Sequence, residues 1–256
     1  MLSIVTYNLR FPWNGDGINS FMHRAGMIVD KINKEKPDII CFQEGVDKNI
    51  DFLQSTLHDY EIVFDQRNTD FGGEGLAVAF RKSKFRLLEL SFFWLSPTPY
   101  LPGSRFESQS NCPRICQRLT FKRKEDSKLF RVFNTHLDHV SDEARILGIQ
   151  SVMSYVEEEN ARMELPFFIM GDLNAEPESR TIAYCNSYAK LPIRDLTCSI
   201  PVSYHGFGKE DELCKIDYIF SDVQTASLPY SVRVWDDCYN GIYLSDHYPI
   251  ALEIDI

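Results

Sequence analysis

Pro166-Phe167-Phe168-Ile169-Met170-Gly171-Asp172-Leu173-Asn174-Ala175-Glu176-Pro177 sets a continuous apolar run against two polar side chains. A run without alternation is a strand covered on both faces, so a buried strand is predicted at residues 166–170, with Asp172 and Asn174 at its mouth. Neither residue stabilises a strand end, and strand ends of α/β proteins are where ligands gather. The arrangement recurs along the chain. Residues 4–7 end in Asn8, residues 38–42 run into Gln43-Glu44, and residues 129–133 lead to Asn134-Thr135-His136-Leu137-Asp138-His139. Asp217 sits inside an apolar strand predicted at residues 215–220, and Ser245-Asp246-His247 precedes the apolar run to Leu252. Carboxylates, amides and histidines at successive strand ends point to a hydrolytic metal site.

Working outward, strand 2–7 is followed by a helical pattern in which Phe21, Met22, Ala25, Ile28, Val29 and Ile32 share a face, closed by Pro37 before strand 38–42. That is a βαβ unit. The second half repeats it: strand 129–135, a helix from Ser141 with Ile146, Ile149, Val152, Met153 and Val156 apolar, then strand 166–170. Short β segments at about 60–65, 75–81, 84–95 and 115–123 lie between, punctuated by Gly72-Gly73 and by Pro97 to Gly103. After residue 195 the chain is mostly strand. Two mixed sheets packed face to face with helices outside, in two similar halves, accommodate this order.

The 256 residues carry no linker or low-complexity run, so one domain spanning 1–256 is expected. A net charge of −10 argues against a broad grip on duplex DNA but not against a phosphate substrate, because bound cations reverse the sign of a carboxylate-lined cleft locally. Seven cysteines without metal spacing read as reduced thiols, mostly in the core. No run is long enough for a membrane span, and the chain opens directly into a strand, which predicts a soluble, cytoplasmic protein. Nothing in the pattern requires an oligomer.

Glu44, at the end of a buried strand, suits a hard cation such as Mg²⁺, which takes a few oxygen ligands and keeps its waters; Asn8 is a fitting neighbour. The plainer alternative is an acidic residue opening the next helix. Asp172 and Asn174 supply an acceptor for a water proton and a donor for phosphoryl oxygens. An Asx-turn into a helix whose first turn holds Pro177 is the rival for Asn174. Asp217, flanked by Ile216 and Ile219, needs a partner, and His247 supplies one: the pair fixes the tautomer and favours the charged ring. Asn134 to His139 comes within one residue of the H-x-H-x-D-H pattern of dizinc metallo-β-lactamase-type hydrolases, with Asn134 in place of the first His.

Taken together, Tyr7-Asn8, Gln43-Glu44, Asn134-Thr135-His136-Leu137, Gly171-Asp172-Leu173-Asn174, Ile216-Asp217-Tyr218 and Ser245-Asp246-His247 resemble, in content and order, the motifs of the endonuclease/exonuclease/phosphatase superfamily. The resemblance spans residue 4 to about 254, and the wording is most similar to the deadenylase-related branch. It implies a deoxyribonuclease I-like four-layer α/β sandwich and a Mg²⁺-dependent (or Mn²⁺-dependent) phosphoesterase site with one cation or two. It further implies that Glu44 is the principal metal ligand with Asn8 beside it and Asp246 near the metal. Asp172 would position the nucleophilic water, Asn174 and His136 would hold the phosphate, and His247, oriented by Asp217, would contact the scissile phosphate.

Substrate has to be read from loops. Arg10 to Gly15, Trp94 to Arg114, and Ser203 to Gly208 mix aromatics with basic groups. Trp13, Tyr204 and Phe207 could stack bases while Arg105 or Arg114 steadies a phosphate, which favours 3′–5′ exoribonuclease-like cleavage of RNA or small nucleotides. Core packing is the reading for Trp94, and an open alternative for Trp13 and Phe207. A sphingomyelinase-like enzyme would want an apolar membrane-facing loop, an inositol-phosphate phosphatase more basic loops, and a non-catalytic interaction module an eroded site.

Overall fold

Period-two alternation decides which side chains meet between the sheets and which meet the helices. In the computed structural model, which describes residues 1–209, 211 and 213–256, the chain runs β1 (Leu2–Asn8), α1 (Phe21–Glu35), β2 (Ile39–Gly45), α2 (Asp47–Thr56), β3 (Tyr60–Gln66) and β4 (Gly75–Arg81). There follow β5 (Phe85–Trp94), β6 (Ile115–Arg123), β7 (Leu129–His136), α3 (Asp142–Arg162), β8 (Phe167–Asp172), α4 (Arg180–Ser187), β9 (Ile193–Asp195) and β10 (Asp217–Asp222). The chain closes with β11 (Tyr230–Val234), a small ribbon of β12 (Cys238–Tyr239) and β13 (Ile242–Tyr243), and β14 (Ile250–Ile254).

Two six-stranded sheets result, in the orders β11-β14-β1-β2-β4-β3 and β5-β6-β7-β8-β10-β9. Only the central pairs, β1 with β2 and β7 with β8, are parallel; the other pairs are antiparallel. Each parallel pair is the βαβ unit read from the sequence, and its flanking strands repeat the same pattern of directions. The two halves are therefore alike in topology.

Leu2 and Ile4 of β1, Ile39 and Cys41 of β2, Phe130 and Val132 of β7, and Phe168 and Met170 of β8 meet in one buried cluster between the sheets. The alternate residues turn outward. Val5, Tyr7, Ile40 and Phe42 pack on Phe21, Ala25, Ile28 and Ile32 of α1 and on Ile50 and Leu53 of α2. Phe133, Phe167 and Ile169 pack on Ile149, Val152, Met153 and Val156 of α3 and on Ile182 of α4. These three interfaces make the four-layer α/β sandwich, and each buried large apolar side chain contributes roughly 1.5–3 kcal/mol relative to exposure.

Several local expectations are corrected. Met22 is 56% exposed, because it stands one residue off the stripe that Phe21, Ala25, Ile28 and Ile32 form. Pro177 lies before α4, which begins at Arg180 with the Ser179 hydroxyl accepting from Ile182 N–H. Lys215 and Ile216 precede β10, so Asp217 is the first residue of its strand and not an interior one. The cysteines are all free, but only Cys41, Cys116 and Cys185 are buried. Ser141 does cap α3, accepting from Ala144 N–H at 3.2 Å. No helix among the described residues is long and apolar enough to cross a membrane.

Candidate active site

The inward face of the sandwich turns from apolar to polar at one end. Continuing the alternation beyond Ile4, Cys41, Val132 and Met170 places Thr6 and Asn8, Gln43, Asn134 and His136, and Asp172 on the same side as the core. Gln43 and Asn134 form a floor. Gln43 Nε2 donates to Asn134 Oδ1 at 2.8 Å, and Asn134 Nδ2 donates to the Phe42 and Ala77 carbonyls and to Gln117 Oε1, each at 3.1 Å. This network satisfies buried amides and joins the two sheets beneath the site. It also disposes of the dizinc reading: Asn134 is buried in the floor, Asp138 accepts from the Val140 and Ser141 N–H groups, and His139 accepts from Arg114.

Strand register then lines up the chemistry. His136 of β7 is opposite Asp172 of β8, which is opposite Asp217 of β10. A Cβ on Gly171 would stand 1.8 Å from the Thr135 carbonyl oxygen, so only glycine lets β8 approach β7 this closely. Glu44 is brought in by a register shift between Phe42 and Gly45 in the β2–β4 pairing and has φ 58°. A bulge of this kind re-aims a side chain, and the left-handed backbone costs roughly 1–3 kcal/mol for a non-glycine residue.

Asn8 Nδ2 donates to Glu44 Oε1 at 2.9 Å and to Asp172 Oδ2 at 3.0 Å, tying the two carboxylates together across the sheets. The Phe11 N–H donates to Glu44 Oε2 at 2.8 Å. Asp172 Oδ1 accepts from Asn174 N–H at 2.8 Å, so the Asx-turn exists, built by Asp172, while the Asn174 side-chain amide donates to the Leu137 carbonyl at 3.1 Å and meets His136 Nε2 at 3.0 Å. His247 Nδ1 lies 2.8 Å from Asp217 Oδ2, and its Nε2 is 3.8 Å from Asp172 Oδ2. A strap holds that pair: the Ser203 hydroxyl accepts from the N–H groups of Ile216 and Asp217, Tyr204 bridges Cys214 on one side and His247 on the other, and His205 N–H donates to the Asp246 carbonyl.

The charges are arranged unequally. Burial works against the charge of the His247 ring, but the Asp217 carboxylate, then Asp172 and Asp246, raise its pKa from 6.5 to about 10. Burial, then the charge of Asp217, raises Asp172 from 3.8 to about 7. Burial would raise Glu44 too, yet the hydrogen bonds from Phe11 and Asn8 hold it below the usual carboxylate range. Burial, then the charges of Arg114 and Arg67, keep His136 well below its ordinary value and so neutral. Burial also raises Asp246, whose Oδ2 is 3.6 Å from Arg10 Nε.

The His247 value carries a pH prediction. A ring whose folded pKa lies above its ordinary 6.5 lends its stabilisation in full below that value and loses it as pH rises through about 10. Activity that needs the charged ring should therefore persist to about pH 10, and Asp217→Asn should pull the alkaline limb of kcat down by about 1–3 pH units. An unshifted limb in the variant would show that Asp217 does not set the ring's charge.

Ligand atoms of Glu44, His136 and Asp172 lie within 4.8 Å of one another, as do those of Asp172, Asp217 and His247. In the second group His247 Nδ1 and Asp217 Oδ2 are already paired with each other at 2.8 Å. The first group, with Asn8 beside it, could hold a divalent cation: the half-buried Glu44 and the buried Asp172 carboxylates converge there through the Asn8 amide.

Glu44, His136, Asp172, Asn174 and His247 line a cleft of about 510 Å³ that also receives Asp246, Arg114 and Tyr204, while Asn8 and Asp217 stand behind its wall as their hydrogen-bond partners. Three of the expected substrate residues are elsewhere. Arg105 is exposed and donates to the Ser110 carbonyl and Asn111 Oδ1 of its own loop. Trp13 is 54% exposed beneath the Arg10 guanidinium, and Phe207 lies against Arg24; neither lines the cleft. Trp94 is buried, its indole N–H donating to the Arg67 carbonyl. In their place the cleft wall has Arg10, Arg67, Glu74 and His139. Arg67 and Glu74 bracket the Gly72-Gly73 turn, and a charge on each side of a glycine turn was the one sequence signal available for them.

The sequence profile of the Endonuclease/Exonuclease/phosphatase family matches residues 5–247. The crystal structure of the endonuclease/exonuclease/phosphatase from Bacteroides vulgatus is similar over 99% of both chains, with 25% identity and a TM-score of 0.88. A mannosyl-6-phosphatase of Bacteroides thetaiotaomicron is similar over 100% of both chains, with 24% identity and a TM-score of 0.87. The human Nocturnin catalytic domain with bound sulfate anion shares 19% identity over 99% of this chain and 94% of that one, with a TM-score of 0.75. The likeness to the last two is one of fold.

Proposed function

This chain belongs to the endonuclease/exonuclease/phosphatase family and is a hydrolase of phosphate esters; on that premise we propose that its substrate is a small phosphorylated polyol or sugar, cleaved with Mg²⁺. The observation that carries this reading is the make-up of the cleft, about 510 Å³ with Arg67, Glu74, Arg114 and His139 on its wall. Charged donors and acceptors at close quarters suit hydroxyls and phosphate, whereas a nucleic-acid chain wants a run of stacking faces. Of the stacking residues expected for RNA, Tyr204 alone lines the cleft. The mannosyl-6-phosphatase likeness supports the same substrate class.

Asn8, Glu44 and Asp172 would hold the cation, with Asp246 nearby, and oxygen donors of this kind select Mg²⁺ or Mn²⁺. Bound there, the cation would offset phosphoryl charge as a Lewis acid. Asp172 accepts the proton of the attacking water, its carboxylate held by the Asn174 N–H and Asn8 amide. Asn174 and His136 face the phosphoryl oxygens. His247, kept charged by Asp217, directs Nε2 at the charge that develops on the phosphate.

The test is a substrate panel under one Mg²⁺ condition: mannose 6-phosphate, glucose 6-phosphate, AMP, an RNA oligomer, an inositol phosphate and sphingomyelin vesicles. The sugar phosphates are expected to lead the RNA oligomer by at least about tenfold in kcat/KM, the scale of one lost set of polar contacts. An RNA oligomer or AMP in the lead would restore the nucleotide reading with Tyr204 as its stacking face.

A further inference from the structure

Arg67 follows β3 and Arg114 precedes β6, and both side chains are buried, at 8% and 4% exposure. Among the described residues their direct carboxylate partner is single: Arg67 Nη1 lies 3.0 Å from Glu74 Oε2, while Arg114 Nη2 donates to His139 Nδ1 at 3.1 Å. Arg67 Nε and Arg114 Nε and Nη1 are buried with no hydrogen-bond partner among the described residues. Unpaired buried donors are costly, and burial together with the charge of Arg67 acts against the Arg114 guanidinium. The other carboxylates of the cleft are engaged elsewhere, Glu44 and Asp172 with Asn8, and Asp246 with Arg10 and the Ser245 hydroxyl.

The backbone that carries each guanidinium is also anchored. The Arg67 carbonyl accepts from the Trp94 indole at 2.7 Å, and the Arg114 carbonyl accepts from Leu95 N–H at 2.8 Å. Both side chains line the cleft and a void of about 10 Å³ behind it, shared with His136, which is room for one oxygen atom. A fixed pair of positive forks with spare donors matches the planar oxygens of an anion.

We propose that Arg67 and Arg114 form a second anion subsite, so that the phosphate ester taken by this chain carries a further anionic group, a phosphate or a carboxylate. This rests on the small-phosphate reading of the site. The reacting phosphate has its own partners in Asn174, His136 and His247, which leaves the arginine pair for the rest of the substrate.

The experiment is calorimetric titration of EDTA-treated protein with mannose 6-phosphate, glucose 1,6-bisphosphate and 6-phosphogluconate. One or both doubly anionic ligands should bind about 10–100-fold more tightly than mannose 6-phosphate, the range of a charge-assisted hydrogen-bond pair. The tighter of the two identifies the second group as phosphate or carboxylate. In Arg114→Gln and Arg67→Gln the preference should collapse towards unity. Equal affinities in the wild-type protein overturn the subsite without need of the variants, and so does a preference that survives in both. Failure of the Mg²⁺-loaded protein to hydrolyse any of the three would count against the phosphatase reading alone, since binding is measured without turnover.

Discussion

Asp172→Asn is expected to lower kcat on a phosphomonoester by about 10²–10⁴-fold, the range that a positioned general base supplies, while leaving the metal-free protein at least as stable as the wild type at pH 8. The two halves of this expectation have one cause. The folded pKa of Asp172 is raised from 3.8 to about 7, first by burial and then by Asp217. A raised acid favours its protonated form, so its contribution is present below 3.8 and lost as pH climbs through about 7. At pH 8 the wild type bears that cost in full. Asn retains an oxygen for the Asn174 N–H and removes the charge, but it cannot take a proton from water. Turnover and urea unfolding of both proteins at pH 8 check it. Undiminished turnover would remove Asp172 from the proton transfer, and a large fall in stability would mean that it serves the fold.

Glu44→Gln should raise the Mg²⁺ concentration for half-maximal activity by more than about 100-fold, beyond what loss of an outer-shell partner costs a metal site. The carboxylate is held ionised by the Phe11 N–H and the Asn8 amide in spite of burial, and its backbone is kept at φ 58° to aim it into the cleft. Glutamine preserves the shape and removes the charge, so the loss should appear in metal response more than in folding. The readout is phosphate release as Mg²⁺, Mn²⁺ or Zn²⁺ is added back after EDTA. Activity restored to the wild-type protein by Zn²⁺ alone would sink the hard-cation assignment, and a normal Mg²⁺ response in the variant would sink Glu44 as the ligand.

The catalytic cluster was legible because its grammar is local. A short unalternating apolar run bounded by turn signals reads as a strand covered on both faces, and the polar residue that ends it, Asn8 or Asp172, inherits the direction set by the period of two, whereas Glu44 is re-aimed by the β2–β4 register shift and its φ of 58°. The order of such ends pointed to two mixed sheets packed face to face with helices outside, the family resemblance implied the four-layer sandwich, and the need of a lone Asp217 carboxylate for a partner pointed to His247, which lies 2.8 Å from it. The periodicity also separated the helix-facing from the sheet-facing residues, with Met22 misplaced because a single residue of helical rotation moves a side chain off its stripe.

Loops obey no such period. Arg105, Trp13 and Phe207 carried the right chemistry for a substrate surface, yet Arg105 is taken by Ser110 and Trp13 by Arg10 of their own loops, and Phe207 by Arg24 of α1. Arg67 and Glu74 were not singled out from the sequence, and the separation of 27 positions between Arg67 and Trp94 hides the indole-to-carbonyl bond that anchors the Arg67 backbone at the cleft. Gln43, Asn134 and Gln117, from three strands in two sheets, became a buried floor only when the sheets closed on one another. The sequence by itself thus determined the layers and the residues that gather at the candidate site, since strand direction is decided by neighbouring residues. Tertiary structure alone decided the walls of the cleft, because a loop side chain goes where long-range contacts satisfy its charge and hydrogen bonds.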